Sequence, residues 1–212
     1  DAAKDDDRIE GIYLDGGLLT GDLASLQYLR KHLAEFKKSG KWIYAYADTY
    51  SQGSYYVASV ADSIFLNPSG LLDWHGLTSQ PIFFTGLLEK IGVKMQVFKV
   101  GTYKSAVEPY ILTSMSDANR EQVTSMIGDM WGVVVKDVAK SRKLTPERLN
   151  GLADSYVAFS EGKDFVKAGL VDRLTFIDQL RQSLRNRVGT DKVNFVEPAE
   201  MAALAPAKSS AN

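Results

Sequence analysis

Lys104 is the residue of this sequence whose neighbours most suggest a general base. It stands in VGTYKSAVEPY, residues 100–110, among Val100, Tyr103, Ala106 and Val107, with Gly101 just before it. Burial disfavours the charged form of a lysine, and the neutral amine is then a general base of the kind histidine usually supplies. Gly101 permits a sharp exit from a preceding strand, which would carry the side chain into a cleft. Most lysines that follow a strand are instead solvated, so the local residues leave a base and a surface cation both open. Other chemistries find less support. The only histidines are His32, on an expected helix surface, and His75, and neither has metal-ligand spacing. Asp5, Asp6 and Asp7 lack the spacing of a calcium loop and read as a solvated turn. No G-x-S-x-G elbow, phosphate-loop lysine or G-x-G-x-x-G is present, so no metal and no cofactor is expected.

The elements that must hold Lys104 are legible in the apolar period. RIEGIYLD (8–15) reads as a short buried strand, and Leu23, Leu26, Leu29, Leu33 and Phe36 recur at helical spacing between an Asp22 cap and a Gly40 stop. KWIYAYA (41–47) is a second strand, QGSYYVASVA (52–61) a short helix, and SIFLNP (63–68) strand-like again. PIFFTGLLEKIG reads as helical from Pro81 to Gly92, and VKMQVFKV (93–100) as a buried strand that delivers Lys104. Alternating strands and helices of this length predict an α/β fold with a parallel sheet. Beyond Pro109 the chain is mostly helical. Asp117 to Arg142 forms one long helix with Val123, Ile127, Met130, Val134 and Val138 on one side. Further helices start at Thr145-Pro146-Glu147 and end near Gly169 and Gly189, with a short strand between the last two, and residues 198–212 drift into alanine, proline and serine.

Composition sets the outer limits. The 212 residues carry a formal net charge of −1 with both signs scattered, which gives nucleic acid and anionic membrane no electrostatic footprint. There is no cysteine, so a thiol nucleophile and a disulfide framework are excluded. No apolar run approaches the ~18 residues of a membrane helix.

VGTYKSAVEPY, followed by MSDANREQ at 115–122, resembles the lysine segment of the signal peptide peptidase A family, also called protease IV. SGKWIYAYADTYSQGSYYVASVADSIFLNPSGLLDWHGL (39–77) resembles the strand, helix and strand that precede it, and the similarity runs from about Arg8 through Leu174. The resemblance implies a crotonase/ClpP-like fold and a serine–lysine dyad. It further implies cleavage of leftover signal peptides at the bacterial envelope, with membrane association through a segment outside these residues, facing the periplasm or the exterior. In the long form of that family the first of two homologous halves gives the lysine and the second the serine. This sequence resembles the first half. Where the serine-bearing half has a Ser-Gly-Gly-Tyr segment, this chain reads Gln52-Gly53-Ser54-Tyr55, so Gln52 stands at the nucleophile's place and an amide cannot attack as an alkoxide does. Ser51 and Ser54 flank it, but one step along a helix start turns a side chain by about 100°. On this resemblance Lys104 is the general base, and Gly53 is either the trace of an oxyanion turn or an ordinary helix-start glycine.

The domain reading that follows is an α/β crotonase-like core over 1–110 carrying the lysine segment, a helical part of the same domain over 111–197, and a linker or tail over 198–212. The implied partners are the serine-bearing C-terminal half, apolar signal-peptide fragments as substrate, and further copies in a homo-oligomer, with no nucleic acid. Two rivals share the fold: a non-catalytic assembly module of a crotonase-fold oligomer, and an acyl-thioester enzyme of crotonase type, against which GTYKSAVEP argues. DAAKDDDRIEGI resembles the end of a helix running into the family's second strand, so a sheet edge is expected beside Ile9 to Leu14.

Overall fold

The computed structural model describes residues 2–17, 19–98, 100–155 and 157–204. In chain order the elements are α1 (Ala2–Asp5), β1 (Gly11–Asp15), α2 (Leu23–Lys37), β2 (Trp42–Tyr50), α3 (Gln52–Ala58), β3 (Ser63–Leu72), α4 (Thr85–Lys90), α5 (Glu108–Ile111), α6 (Asp117–Arg142), α7 (Pro146–Asp154), α8 (Gly162–Ala168), β4 (Arg173–Leu174), α9 (Ile177–Val188) and α10 (Pro198–Leu204). Residues 205–212 of the expected tail and Lys99 of the expected strand lie outside the described residues. The chain divides into two compact units, one comprising the residues up to His75 together with Val138 onward, the other Gly76–Asp137.

The first unit is built on a four-stranded sheet in the order β1-β2-β3-β4, every pair parallel. β1 is an edge strand, at the place where an edge was expected. Parallel strands need crossovers, and the caps that fix these helices are local. Asp22 accepts the Ser25 N–H at 2.9 Å to start α2, Thr145 accepts the Arg148 N–H at 3.1 Å to start α7, and Gly169 and Gly189 take φ of +80° and +72° to end α8 and α9. Period-two alternation along β2 sends Ile43, Ala45 and Ala47 to one face and Tyr44 and Tyr46 to the other, where Tyr46 and Phe65 pack on Leu180 and Leu184 of α9. Below α3, Tyr55 meets Tyr50 and Trp74 edge to face at 6.2 and 5.7 Å, and the buried polar ends are satisfied: Tyr55 donates to Leu170 O and Trp74 to Leu149 O. Buried Arg30 of α2 donates to Tyr56 O, Ser59 Oγ and Ser141 Oγ, tying α2, α3 and the end of α6 together. Arg142 does similar work, paired with Asp172 at 2.7 Å while Asp172 accepts the Ile64 N–H of β3.

The second unit departs from expectation in three places. Residues 93–98 and Val100 form no strand, and Phe98 and Val100 are 97% and 90% exposed. An apolar run becomes a strand only where a neighbour accepts its backbone hydrogen bonds, and among the described residues the sheet holds β1 to β4 alone. The helix expected from Pro81 begins only at Thr85, because the Phe84 N–H is taken by Pro109 O at 2.7 Å and the Phe84 ring stacks on Tyr110. α6 has the expected bounds but not the expected continuous buried stripe. Val134, Val135, Val138 and Ala139 are buried, whereas Val123 and Ile127 are half-buried and Met126, Met130 and Val133 exposed.

Candidate active site

The turn from β2 into α3 carries the residues at the expected nucleophile position. Ser51 is the N-cap of α3: its Oγ accepts the Ser54 N–H at 3.1 Å, and the buried Ser54 hydroxyl donates back to Ser51 O at 3.0 Å. Both flanking hydroxyls are thus engaged in holding the helix start. Gln52 is the first helical residue, and its Oε1 accepts the N–H of His75, so the side chain pins the exit of β3 to the start of α3. A Cβ built on Gly53 would lie 2.9 Å from Leu26 Cδ1. The close approach of α3 to α2 therefore supplies a packing reason for glycine here. His75 pairs through Nδ1 with Asp73 at 2.6 Å, and among the described residues no group of three or more histidine, aspartate and glutamate side chains is arranged to hold a metal ion.

A recess of about 370 Å³ opens at the carboxyl ends of β1 and β2, lined by Tyr13, Asp15, Tyr46 and Asp48. Asp48 accepts from the Tyr46 hydroxyl and from Asn67, both at 2.8 Å. Burial, and then the charge of Asp15, pushes the Tyr13 phenol up to about 12. Sequence reasoning passed over this recess because its tyrosines read as ordinary strand aromatics.

Lys104 belongs to the second unit. Gly101 has φ of +98°, the left-handed backbone that the expected sharp exit requires, and successive tight turns follow: Lys104 N–H to Gly101 O, Ser105 N–H to Tyr103 O, Glu108 N–H to Ser105 O. The lysine side chain is exposed, not sunk in a cleft as the sequence suggested. It lines an open groove of about 560 Å³ with Phe98, Val100, Tyr103, Val107 and Gln122. The apolar neighbours expected are present, but they face outward with it. The residue that sequence reasoning missed is Glu108, fully buried at the start of α5. Its Oε1 accepts from Ser116 Oγ at 2.6 Å, and its Oε2 from Ser116 N–H at 3.2 Å and Asn119 Nδ2 at 2.9 Å. The available signal was an acid between Ala106-Val107 and Pro109-Tyr110, with a capping Ser-x-x-Asn eight residues on.

Residues 35–191 match the model of peptidase family S49. The chain belongs to that family. Protease 4 of Salmonella typhi is 40% identical over 197 residues, covering 90% of this chain and 32% of that protein. Protease 4 of Haemophilus influenzae is 41% identical over 157 residues, 74% of this chain and 26% of that protein. The chloroplastic serine protease SPPA of Arabidopsis thaliana is 29% identical over 187 residues, 88% of this chain and 27% of that protein. The chain therefore spans about a third or less of these relatives. The family has the ClpP/crotonase-like fold, and the parallel α/β sheet described above is of that class. Among the described residues no helix is long and apolar enough to cross a membrane.

Proposed function

We propose that this chain is the lysine-bearing half of a serine–lysine dyad peptidase. One observation carries the reading: at the start of α3 the nucleophile's place holds an amide, Gln52, whose carbonyl already accepts from His75, and the hydroxyls on either side are spent on the helix cap. The described residues of this turn thus offer no free hydroxyl, while Lys104 offers an amine. In the proposed reaction the neutral Lys104 amine takes the hydroxyl proton of a serine supplied by a homologous half as that oxygen attacks the peptide carbonyl. The ammonium then gives this proton to the departing amine, and the freed amine takes one from the water that hydrolyses the acyl-enzyme. Backbone N–H groups beside that serine hold the oxyanion, and Gly53 is the counterpart of that turn in the lysine half. The substrate class is an extended apolar peptide, such as a signal-peptide remnant, which suits the apolar groove around Lys104. The setting is the bacterial envelope, reached through a membrane segment outside these residues, and the working unit is an oligomer of such halves. Relatives named Protease 4 and serine protease support the peptidase class.

A second reading has its own observation. Lys104 is exposed in this chain, which suits an assembly module whose chemistry occurs elsewhere. Lys104→Arg in the full-length protein separates the two, because arginine keeps the charge but accepts no proton near neutrality. The dyad reading expects turnover of an apolar peptide ester to fall by about 10²-fold or more for Lys104→Arg and Lys104→Ala alike. An arginine variant that keeps most of the wild-type rate rejects the base assignment in favour of the assembly module.

A further inference from the structure

Glu108 is a fully buried carboxylate four residues from Lys104, and the dyad chemistry gives it no task. Its partners define one. Ser116 caps α6, its Oγ accepting the Asn119 N–H at 3.2 Å while its carbonyl takes the Arg120 N–H at 2.9 Å. That leaves the Ser116 hydroxyl proton for Glu108 Oε1, while Ser116 N–H and Asn119 Nδ2 point at Oε2. Ser116 N–H and Asn119 Nδ2 can only donate, so Oε2 must accept; a carboxylate also accepts the Ser116 hydroxyl proton at Oε1, whereas an amide would turn its Nε2 onto Ser116 Oγ and cost that proton its acceptor. A negative group there also complements the N-terminal end of a 26-residue helix. Upstream, the Glu108 N–H is bonded to Ser105 O at 3.0 Å, directly after Lys104. Glu108 therefore joins the tight turns that carry the lysine to the one long helix of their unit.

We infer that Glu108 is the positioning residue for Lys104, its buried carboxylate clamping the 101–108 turns onto the N-terminus of α6 so that the amine is held at a fixed point. The inference rests on the dyad reading above. It explains why an otherwise exposed lysine can be placed to within the fraction of an ångström that proton transfer demands, since small misplacements of a reacting group cost orders of magnitude in rate.

The test uses the full-length protein, with turnover expressed per serine titrated by a fluorophosphonate, so that loss of folded enzyme and loss of chemistry are counted separately. Glu108→Gln removes the charge and turns one acceptor oxygen into a donor, so that the Ser116 hydroxyl proton loses its acceptor. It is expected to lower kcat per titrated site by about tenfold or more while KM stays within about twofold, the split that marks a lost transition-state geometry. Glu108→Gln with wild-type kcat per site overturns the positioning role. If Glu108→Gln yields no titratable serine, Ser116→Ala decides: a reduced kcat per site sustains the clamp and an unchanged one removes it. Lys104→Ala run alongside keeps the two failures apart. An active Lys104→Ala enzyme sinks the dyad reading, whereas an inactive one beside an unimpaired Glu108→Gln sinks the Glu108 role alone.

Discussion

Gly53 has two explanations that a single methyl group distinguishes. On the packing account the glycine is there because α3 crosses α2 at Leu26, where a Cβ would sit 2.9 Å from Leu26 Cδ1, about 1 Å inside ordinary carbon contact. Leu26 is buried, so the methyl cannot simply displace it into water. Overpacking of this kind costs about 1–3 kcal/mol, and the clash is with the free end of a side chain that can rotate, which places the cost toward the lower end. Alanine in place of glycine returns about 0.5–1 kcal/mol of helix propensity. The net expectation for Gly53→Ala is a loss of about 0.5 kcal/mol. Leu26→Ala alone opens a cavity worth about 2–5 kcal/mol, but in that background the Gly53 methyl fills space, so the double variant should be more stable than the sum of the singles by about 1 kcal/mol or more. Urea unfolding of the 212-residue chain, followed by far-ultraviolet dichroism, gives all four corners of the cycle. A Gly53→Ala protein at least as stable as wild type, with strict additivity against Leu26→Ala, would refute the packing account and leave backbone approach to an oxyanion as the reason for the glycine.

On the split-dyad reading, in which Gln52 holds the nucleophile's place, the 212-residue chain alone should not hydrolyse an apolar chromogenic peptide ester; turnover that disappears on Ser51→Ala or Ser54→Ala would break that account. Burial holds the Tyr50 and Tyr55 phenols above their ordinary value and pushes Tyr13 up to about 12, whereas tyrosine in the unfolded chain ionises near ~10. The unfolded state thus releases these protons first, and stability that is complete below pH ~10 should fall as pH rises toward ~12. Tyr55→Phe should soften that decline between pH ~10 and ~12 in guanidinium midpoints, at the expense of the bond to Leu170 O worth about 1 kcal/mol; parallel declines would contradict the linkage.

Local signals carried the first unit well and the second poorly, for a physical reason. Asp22, Thr145, Gly169 and Gly189 each decide a helix end through a bond or a dihedral made within a few residues, so their sequence reading and their structure agree. The run at 93–100 is rich in apolar residues, as β2 is, but composition reports only that a segment gains by leaving water and not which surface receives it. The same holds for α6, whose apolar stripe is one continuous feature in sequence and is buried only from Val134 onward. Lys104 and Glu108 make the point at the level of single residues. Each was legible as a type, an amine after a glycine and an acid before a proline. Which one is exposed and which is buried depends on the turn that Gly101 permits and on the donors at Ser116 and Asn119, partners too distant in sequence to read from the motif alone.

The exposure of Lys104 and of its apolar neighbours is, on the dyad reading, one fact with two consequences. An ammonium has no lone pair with which to accept a proton, and removal of water from a lysine favours the neutral amine that has one. Phe98 and Val100 line the same groove at 97% and 90% exposure, and covering each would gain about 1.5–3 kcal/mol. A companion surface that covers the groove would therefore draw its favourable free energy from the aromatic and aliphatic side chains and spend part of it on stripping the amine. Association and activation are then coupled with opposite preferences at position 104. Lys104→Met keeps the length and apolar stem of the side chain but removes the charge whose desolvation opposes assembly. Expected is a full-length enzyme with no turnover that assembles more tightly than wild type, by about tenfold in the dissociation constant if about 1.4 kcal/mol of desolvation is relieved. Sedimentation velocity over a dilution series measures this directly. Assembly that is weakened by Lys104→Met would show that the lysine makes a favourable polar contact across the contact surface, and the link between covering the groove and creating the base would fail.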